Sequence, residues 1–532
     1  ANLPMGMTTA FVANRKLLMN RDTSGAATAT QLNQISSSYV TNTTDSSRGY
    51  LLSLLGYIIN TPADTTSLPT TTTALGQLNE LRQVGAVMHS SPVLLTQSGT
   101  IGSSDGTVTT SNRDDYILFG TTQGVLSVVD ATTGKEKFAF VPNEMVASQK
   151  KAFLEYTTTS GFSTSTYQPF YYGVDAPWTQ YSEYVVQSDG TMTVGSGIGT
   201  STGVQMAYGG LRMGGRSYYA LNLQDMNDPK LAFRIDPNTS AVYYNGSSTS
   251  YNELSYMGQS WSKPTIGFVK WNGKKTRVMF VGGGYDAGGT NGDGSFDSTT
   301  GERTGFSGYE GSSYTQTNNI GAGVYMFNAE TGALLWWTGA NATNANTTSG
   351  VGYSTASNMQ FSISSQIKGI DRNSDGLIDH LYFGDLGGQF WRVDLNNNLS
   401  SFDKDLFSKT PVRLLNLHNG IYSPRFYEMP AFSTYSNSGT TFGVASIGSG
   451  NRSLPRFNSS STSYKNDAIY NIYDKDVARS DLYSMTNATY QVCAAQNTGS
   501  TVDCKGAALN TQNATLSTLG QLTTNANTTA VA

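Results

Sequence analysis

The feature that most constrains this chain is a four-part unit that recurs between residues 83 and 475. It opens on a Ser-x-Pro segment running into apolar residues, at Ser90-Ser-Pro-Val-Leu-Leu95 and Ser262-Lys-Pro-Thr-Ile266, with a looser form at Tyr422-Ser-Pro-Arg-Phe426, where the serine adjoins the proline. A glycine-bearing apolar run follows, as in Tyr116-Ile-Leu-Phe-Gly120, Arg277-Val-Met-Phe-Val-Gly-Gly283, His380-Leu-Tyr-Phe-Gly-Asp385 and Phe442-Gly-Val-Ala-Ser-Ile-Gly448. A third run ends on Asp or Asn: Val125-Leu-Ser-Val-Val-Asp130, Ser217-Tyr-Tyr-Ala-Leu-Asn222, Val324-Tyr-Met-Phe-Asn328, Phe390-Trp-Arg-Val-Asp394 and Ile469-Tyr-Asn-Ile-Tyr-Asp474. A Thr-Gly turn then leads to the fourth, in Ala131-Thr-Thr-Gly-Lys-Glu-Lys-Phe138 and Ala329-Glu-Thr-Gly-Ala-Leu-Leu-Trp336. Short β-type runs punctuated by turn residues read as strands. Four antiparallel strands repeated along a chain predict an all-β, propeller-like fold, with about five units in view.

The flanks have a different texture. Residues 1–82 lack alternation and are Ser/Thr-rich, but Ser46-Ser-Arg-Gly-Tyr-Leu-Leu-Ser-Leu-Leu-Gly-Tyr-Ile-Ile59 carries a serine cap and helical apolar spacing. A second short helical piece is expected at 74–81. We read three regions: a partly helical lead-in over 1–82, the repeats over 83–475, and a tail over 476–532. Tyr167 to Gln205 and Tyr285 to Asn319, rich in Tyr, Gly and Ser, read as long loop insertions.

One stretch carries chemistry. In Asp371-Arg-Asn-Ser-Asp-Gly-Leu-Ile-Asp379, oxygen side chains recur at Asp371, Asn373 and Asp375, with Asp379 closing. Gly376 falls where an EF-hand-type loop turns sharply, and Leu377 is placed to offer its backbone carbonyl. Three carboxylates within nine residues repel one another unless a cation sits among them. Hard oxygen donors without His or Cys favour Ca2+ over zinc or copper. The twelfth position, a bidentate Glu in an EF-hand, is Tyr382 here, and no helix pattern follows. The expectation is therefore a calcium clip between two strands; the alternative is a solvated Asx-turn. Asn291-Gly-Asp-Gly-Ser-Phe-Asp297 is a second alternating oxygen run without the hydrophobic anchor.

Other chemistries are weaker. A net charge of −4 with 13 % charged residues leaves no basic footprint for nucleic acid. No apolar run reaches the length of a membrane-spanning helix. Gly102-Ser-Ser-Asp-Gly106 matches a nucleophile elbow in letters only, since Thr107-Val-Thr-Thr110 follows where a helix is needed. His89, His380 and His418 are scattered and read as structural hydrogen-bonders. Cys493 and Cys504 suit a local disulfide in an oxidising compartment rather than a zinc site.

Several motifs together resemble the C-terminal domain of the PilY/PilC family, adhesins of bacterial type IV pili. They are Gly85-Ala-Val-Met-His-Ser-Ser-Pro-Val93, Tyr208-Gly-Gly-Leu-Arg-Met-Gly-Gly-Arg-Ser-Tyr-Tyr-Ala-Leu-Asn222, Ser260-Trp-Ser-Lys-Pro264 and the 369–379 loop running into Tyr382-Phe-Gly-Asp-Leu-Gly-Gly-Gln-Phe-Trp-Arg392. The resemblance implies a modified, seven-bladed, quinoprotein-like β-propeller and no enzymatic activity. It also implies a calcium loop, held by Asp371, Asn373, Asp375, Asp379 and the Leu377 carbonyl, that controls pilus extension and retraction. On the same grounds the chain is expected at the pilus tip on the cell surface, with minor pilins and a surface or host ligand as partners. It would support pilus biogenesis, adhesion and twitching motility, and some relatives serve natural transformation instead. The integrin-directed Arg-Gly-Asp of some members is absent; the nearby form is Arg48-Gly-Tyr50. The alternative is an extracellular quinoprotein-like enzyme. Gly332 and Trp336 fit that docking repeat, but Gly134 is followed by Phe138 and no vicinal disulfide is present.

Overall fold

The structure is a computed structural model. It describes residues 15–22, 24–35, 39, 42–59, 62, 68, 70, 75, 84–154, 171–297, 302–437, 440–453, 467–474 and 476–484. Cys493, Cys504 and all of 74–81 but Leu75 lie outside these residues. The chain is mostly β, with α-helices only at Arg48–Leu54 and Asn143–Gln149 among the described residues. No helix among them is long and apolar enough to cross a membrane. Two compact units are present, dividing principally near Asp236.

Unit one holds two large sheets and the two-stranded pair Ser295–Asp297 with Glu302–Thr304. The first has the meander Val93–Ser104, Thr107–Gly120, Leu126–Asp130, Glu136–Val141, each strand antiparallel to the next. Leu17–Met19 adds a parallel strand outside Glu136–Val141, so part of the lead-in belongs to this sheet. The second contains Thr179–Glu183, Val204–Gly209, Tyr218–Asn222 and Lys230–Asp236, again a meander. Its first strand lies inside the stretch read as an insertion over 167–205. The apolar face of the helix Arg48–Leu54, through Leu51, Leu52 and Leu54, packs in one core with Leu17, Phe140, Trp178 and Leu221.

Unit two holds three more sheets. The third is Thr265–Trp271, Lys274–Gly282, Gly323–Asn328, Leu334–Gly339, with Gly352–Thr355 parallel at its edge. The fourth is Lys368–Ile370, His380–Gly384, Gln389–Asp394, Val412–Asn416. The fifth is Ala431–Asn437, Thr440–Gly448, Ile469–Asp474. Tyr422-Ser-Pro424 does not open its first strand: Gly420–Tyr422 is a 3-10 turn, and pairing starts at Ala431. Pro430 directly precedes that start, as Pro92 precedes Val93 and Pro264 precedes Thr265: proline lacks the N–H that a ladder needs, and each strand begins just after one. Five sheets of three or more strands stand among the described residues, against the seven blades that the resemblance implies.

The repeat has a physical basis. Ser90 Oγ accepts the N–H of Gly120 at 2.8 Å, and Ser262 Oγ accepts that of Gly282 at 2.9 Å. The serine of Ser-x-Pro thus ties each first strand to the glycine ending the second. In the first and third sheets the turn from the third to the fourth strand is an Asx-turn: Asp130 Oδ1 accepts Thr132 and Thr133 N–H, and Asn328 Oδ1 accepts Glu330 and Thr331 N–H. Gly134 and Gly332 close these turns at φ of 68° and 74°. The register slips between the third and fourth strands at Val128/Val129, Ala220/Leu221, Met326/Phe327 and Phe390/Trp391. A bulge increases local twist, so in four of the five larger sheets the pairing of the third and fourth strands is a point of added twist.

Candidate metal centre

The 371–379 loop joins the first two strands of the fourth sheet, and its base is pinned. Asp379 N–H donates to Ile370 O at 2.8 Å, and Leu395 N–H to Asp379 O at 2.7 Å. Ile378 N–H reaches Phe268 O on the third sheet at 2.7 Å. The Ile378 side chain packs where Gly267 and Gly369 have no Cβ and so anchors the loop.

Within the loop, oxygens take backbone donors. Asp371 accepts Ser374 N–H at 2.7 Å on Oδ1 and Gly376 N–H at 2.8 Å on Oδ2. Asp375 Oδ1 accepts Leu377 N–H at 2.8 Å, and its Oδ2 accepts Asn373 Nδ2–H at 3.0 Å. Asp379 Oδ2 accepts Arg372 N–H at 2.9 Å, and its Oδ1 accepts Asn397 Nδ2–H at 3.0 Å. Gly376 turns at φ 81° and Ser374 at φ 62°, the left-handed region the sharp bend demands.

Asn373, Asp375 and Asp379 line a cleft of 210 Å³ together with Arg372, Asn397, Asn398, Ser480 and Tyr483. Asp371 and Leu377 are not in its wall. Among the described residues no three His, Cys, Asp or Glu side chains are gathered closely enough to form a metal-holding group. The carboxylates are spread over backbone donors instead, which is the arrangement an Asx-turn network adopts by itself. The donor set nonetheless fits a hard cation: three carboxylates, an amide oxygen and a peptide carbonyl, with ligating carboxylates ordinarily hydrogen-bonded in turn. Asp379 is 7 % exposed, and none of the three carboxylates forms an ion pair with a described Lys, Arg or His. The Lys275 ammonium stands close over Gly376, 3.2 Å from where a Cβ would be. Of the second oxygen run, Ser295–Asp297 is a strand paired with Glu302–Thr304.

Beneath the loop lies a charged network that sequence reasoning missed. His380 Nδ1 is 2.6 Å from Asp394 Oδ1, and Arg392 bridges Asp394 and Asp474. Tyr382 O–H donates to Asp474 Oδ2 at 2.9 Å. Burial opposes ionisation of Asp394, but the Arg392 guanidinium and the His380 hydrogen bond outweigh it and hold its carboxyl below the usual range. Burial, then the Asp474 charge, push the Tyr382 phenol well up, so it stays a neutral donor. The other histidines are also hydrogen-bonded, His89 to Asp175 at 2.7 Å and His418 to Gly387 O at 3.0 Å. The signal available beforehand was the charge itself: Arg392, Asp394 and Asp474 sit in otherwise apolar strands.

Successive meander sheets with an acidic loop spliced between two strands of one of them define a propeller-like β domain with a candidate cation site. Its sequence is similar to part of PilY1. Over 338 residues, 60 % of this chain, the sequence is 23 % identical to the type IV pilus biogenesis factor PilY1 of Pseudomonas aeruginosa strain UCBPP-PA14, and the chain spans 22 % of that protein's length. No protein-family model matches the chain. Among solved structures it is similar to the PilY1 C-terminal domain of Pseudomonas aeruginosa, at 18 % identity over 68 % of this chain and 58 % of that one, TM-score 0.40. BamB from Moraxella catarrhalis overlaps at 9 % identity over 67 % of this chain and 58 % of that one, TM-score 0.24. A quinohemoprotein alcohol dehydrogenase from Comamonas testosteroni does so at 9 % over 68 % and 46 %, TM-score 0.23. Overlaps this loose put no residue of one chain on a residue of another.

Proposed function

We propose that this chain is the calcium-binding domain of a type IV pilus biogenesis factor, acting at the pilus tip on the cell surface in assembly, adhesion and twitching motility rather than in catalysis. The sequence match to PilY1 supports the pilus role. The observation that carries the calcium reading is the set Asp371, Asn373, Asp375 and Asp379 on one loop, with three carboxylates and no paired cationic side chain. A bound Ca2+ would be held by these side chains and the Leu377 carbonyl, and would supply a positive charge directly among the three carboxylates. The chain's own residues set the rest: Asp379 is fixed by Asn397 and Ile370, and Ile378 anchors the loop between two sheets. Occupancy would thereby stiffen the edge of the fourth sheet, a local order change that extension and retraction of a pilus can sense. Minor pilins and a surface ligand are the partners this role requires.

Calorimetric titration tests the site. Wild type should bind Ca2+, and Asp375→Ala should bind at least about tenfold more weakly, because affinity follows ligand charge count. Equal affinity in both would refute the assignment. In cells, piliation and twitching should fall with the same substitution; unchanged motility alongside lost binding would leave the cation structural.

A further inference from the structure

The segment Asp476 to Ser484, which follows the last strand, is docked against the loop rather than merely leaving the fifth sheet. It consists of two short 3-10 turns, Asp476–Ala478 and Leu482–Ser484, so few of its own backbone bonds hold it in shape. Val477 and Leu482 are buried, at 5 % and 0 % exposure, in the core with Tyr382 and Phe390. Its polar residues turn to the metal loop. The guanidinium of Arg372, between two candidate ligands, donates to Arg479 O. Arg479 is in turn held by Asp481 at 2.7 Å and lies 3.9 Å from Asp476. The Tyr483 ring stacks on His380, the residue after Asp379, with centroids 6.2 Å apart and planes 19° from parallel. Ser480 and Tyr483 form the wall of the cleft whose other sides are Asn373, Asp375, Asp379 and Asn397.

We infer that the cation site has two parts, with Arg372 and Tyr483 as positioning residues, so that Ca2+ binding and docking of the 476–484 segment are one coupled equilibrium. The inference rests on the calcium reading. Arg372 donates its own N–H to Asp379, so the path of the loop around the cation sets where its guanidinium reaches. Without the cation, repulsion among Asp371, Asp375 and Asp379 spreads the loop and withdraws the donor from Arg479 O. Coupling of this kind is reciprocal: whatever factor Ca2+ adds to docking, docking adds to Ca2+ affinity.

The test compares the full chain in calcium chloride and in a chelator by hydrogen exchange, with calcium affinity measured separately by calorimetry. In wild type, Ca2+ should slow amide exchange in 476–484 by about tenfold, within the range usual for coupled sites. Arg372→Ala and Tyr483→Ala should each still bind Ca2+, about 5-fold or more weakly, and should lose most of the calcium-dependent protection of the segment. Arg372→Ala changes a partly exposed loop residue, so it reports even if Tyr483→Ala disturbs folding. A wild type that binds Ca2+ with unchanged exchange in 476–484, and variants of wild-type affinity, would overturn the coupling and leave the site standing. No calcium binding by wild type would overturn the calcium reading and the coupling together.

Discussion

Arg392 Nη1 lies 2.6 Å from Asp474 Oδ1, joining the third strand of the fourth sheet to the last strand of the fifth, with the side chains 1 % and 0 % exposed. Two charges out of water stay ionised only if each is matched, and here Asp394, His380 and Tyr382 complete the matching. Removing one member strands the rest. Asp474→Ala is expected to destabilise the chain by about 3–5 kcal/mol, the usual cost of breaking a buried pair. The measurement is urea unfolding followed by tryptophan fluorescence. A loss below about 1 kcal/mol would mean that water reaches the site.

A pH dependence is expected from Asp385, the aspartate after Gly384. Burial pushes its carboxyl up to about 7, despite hydrogen bonds from Trp391 Nε1–H and the N–H groups of Gln389 and Gly387 and the nearby Arg413 charge. The unfolded chain releases that proton near 4. Between these values the native state holds a proton that the unfolded state has lost, so this group's contribution to stability falls as pH rises from about 4 to 7. Urea midpoints over this range should decline with pH in wild type and flatten in Asp385→Asn. Identical slopes in the two proteins would exclude Asp385 as the source.

Gly209 ends the second strand of the second sheet against the ring of Trp178, itself fully buried. A Cβ at that position would stand 2.2 Å from Trp178 Cδ2, a distance that no rotamer change of the new residue relieves. Gly209→Ala should therefore cost about 1–3 kcal/mol or more through overpacking. Gly448→Ala is the control, because its Cβ meets nothing within 4 Å. Thermal unfolding should separate the two. Equal midpoints would show that Trp178 yields without cost.

The meander, the loop and its oxygen donors were legible in the sequence because each depends on neighbours a few residues apart. Ser90 and Ser262 announce first strands, Asp130 and Asn328 announce turns, and Asp371 to Asp379 carry their pattern within nine residues. Strand beginnings were less legible, as at Tyr422-Ser-Pro424, where a 3-10 turn stands and pairing begins only after Pro430, at Ala431. The first strand of the second sheet was hidden because Thr179–Glu183 reads Thr-Gln-Tyr-Ser-Glu, and its place comes from pairing with Val204–Gly209 rather than from its own apolarity. Only the tertiary structure decided what surrounds the loop. Asn397 reaches Asp379 from the turn after the third strand of the fourth sheet, Arg372 reaches Arg479 across 107 residues, and Arg392 reaches Asp474 across 82. Local periodicity encodes which face of a strand is buried, but not which distant charge shares that burial. A charge taken out of water needs its partner wherever the chain happens to bring one, and no spacing rule records that meeting.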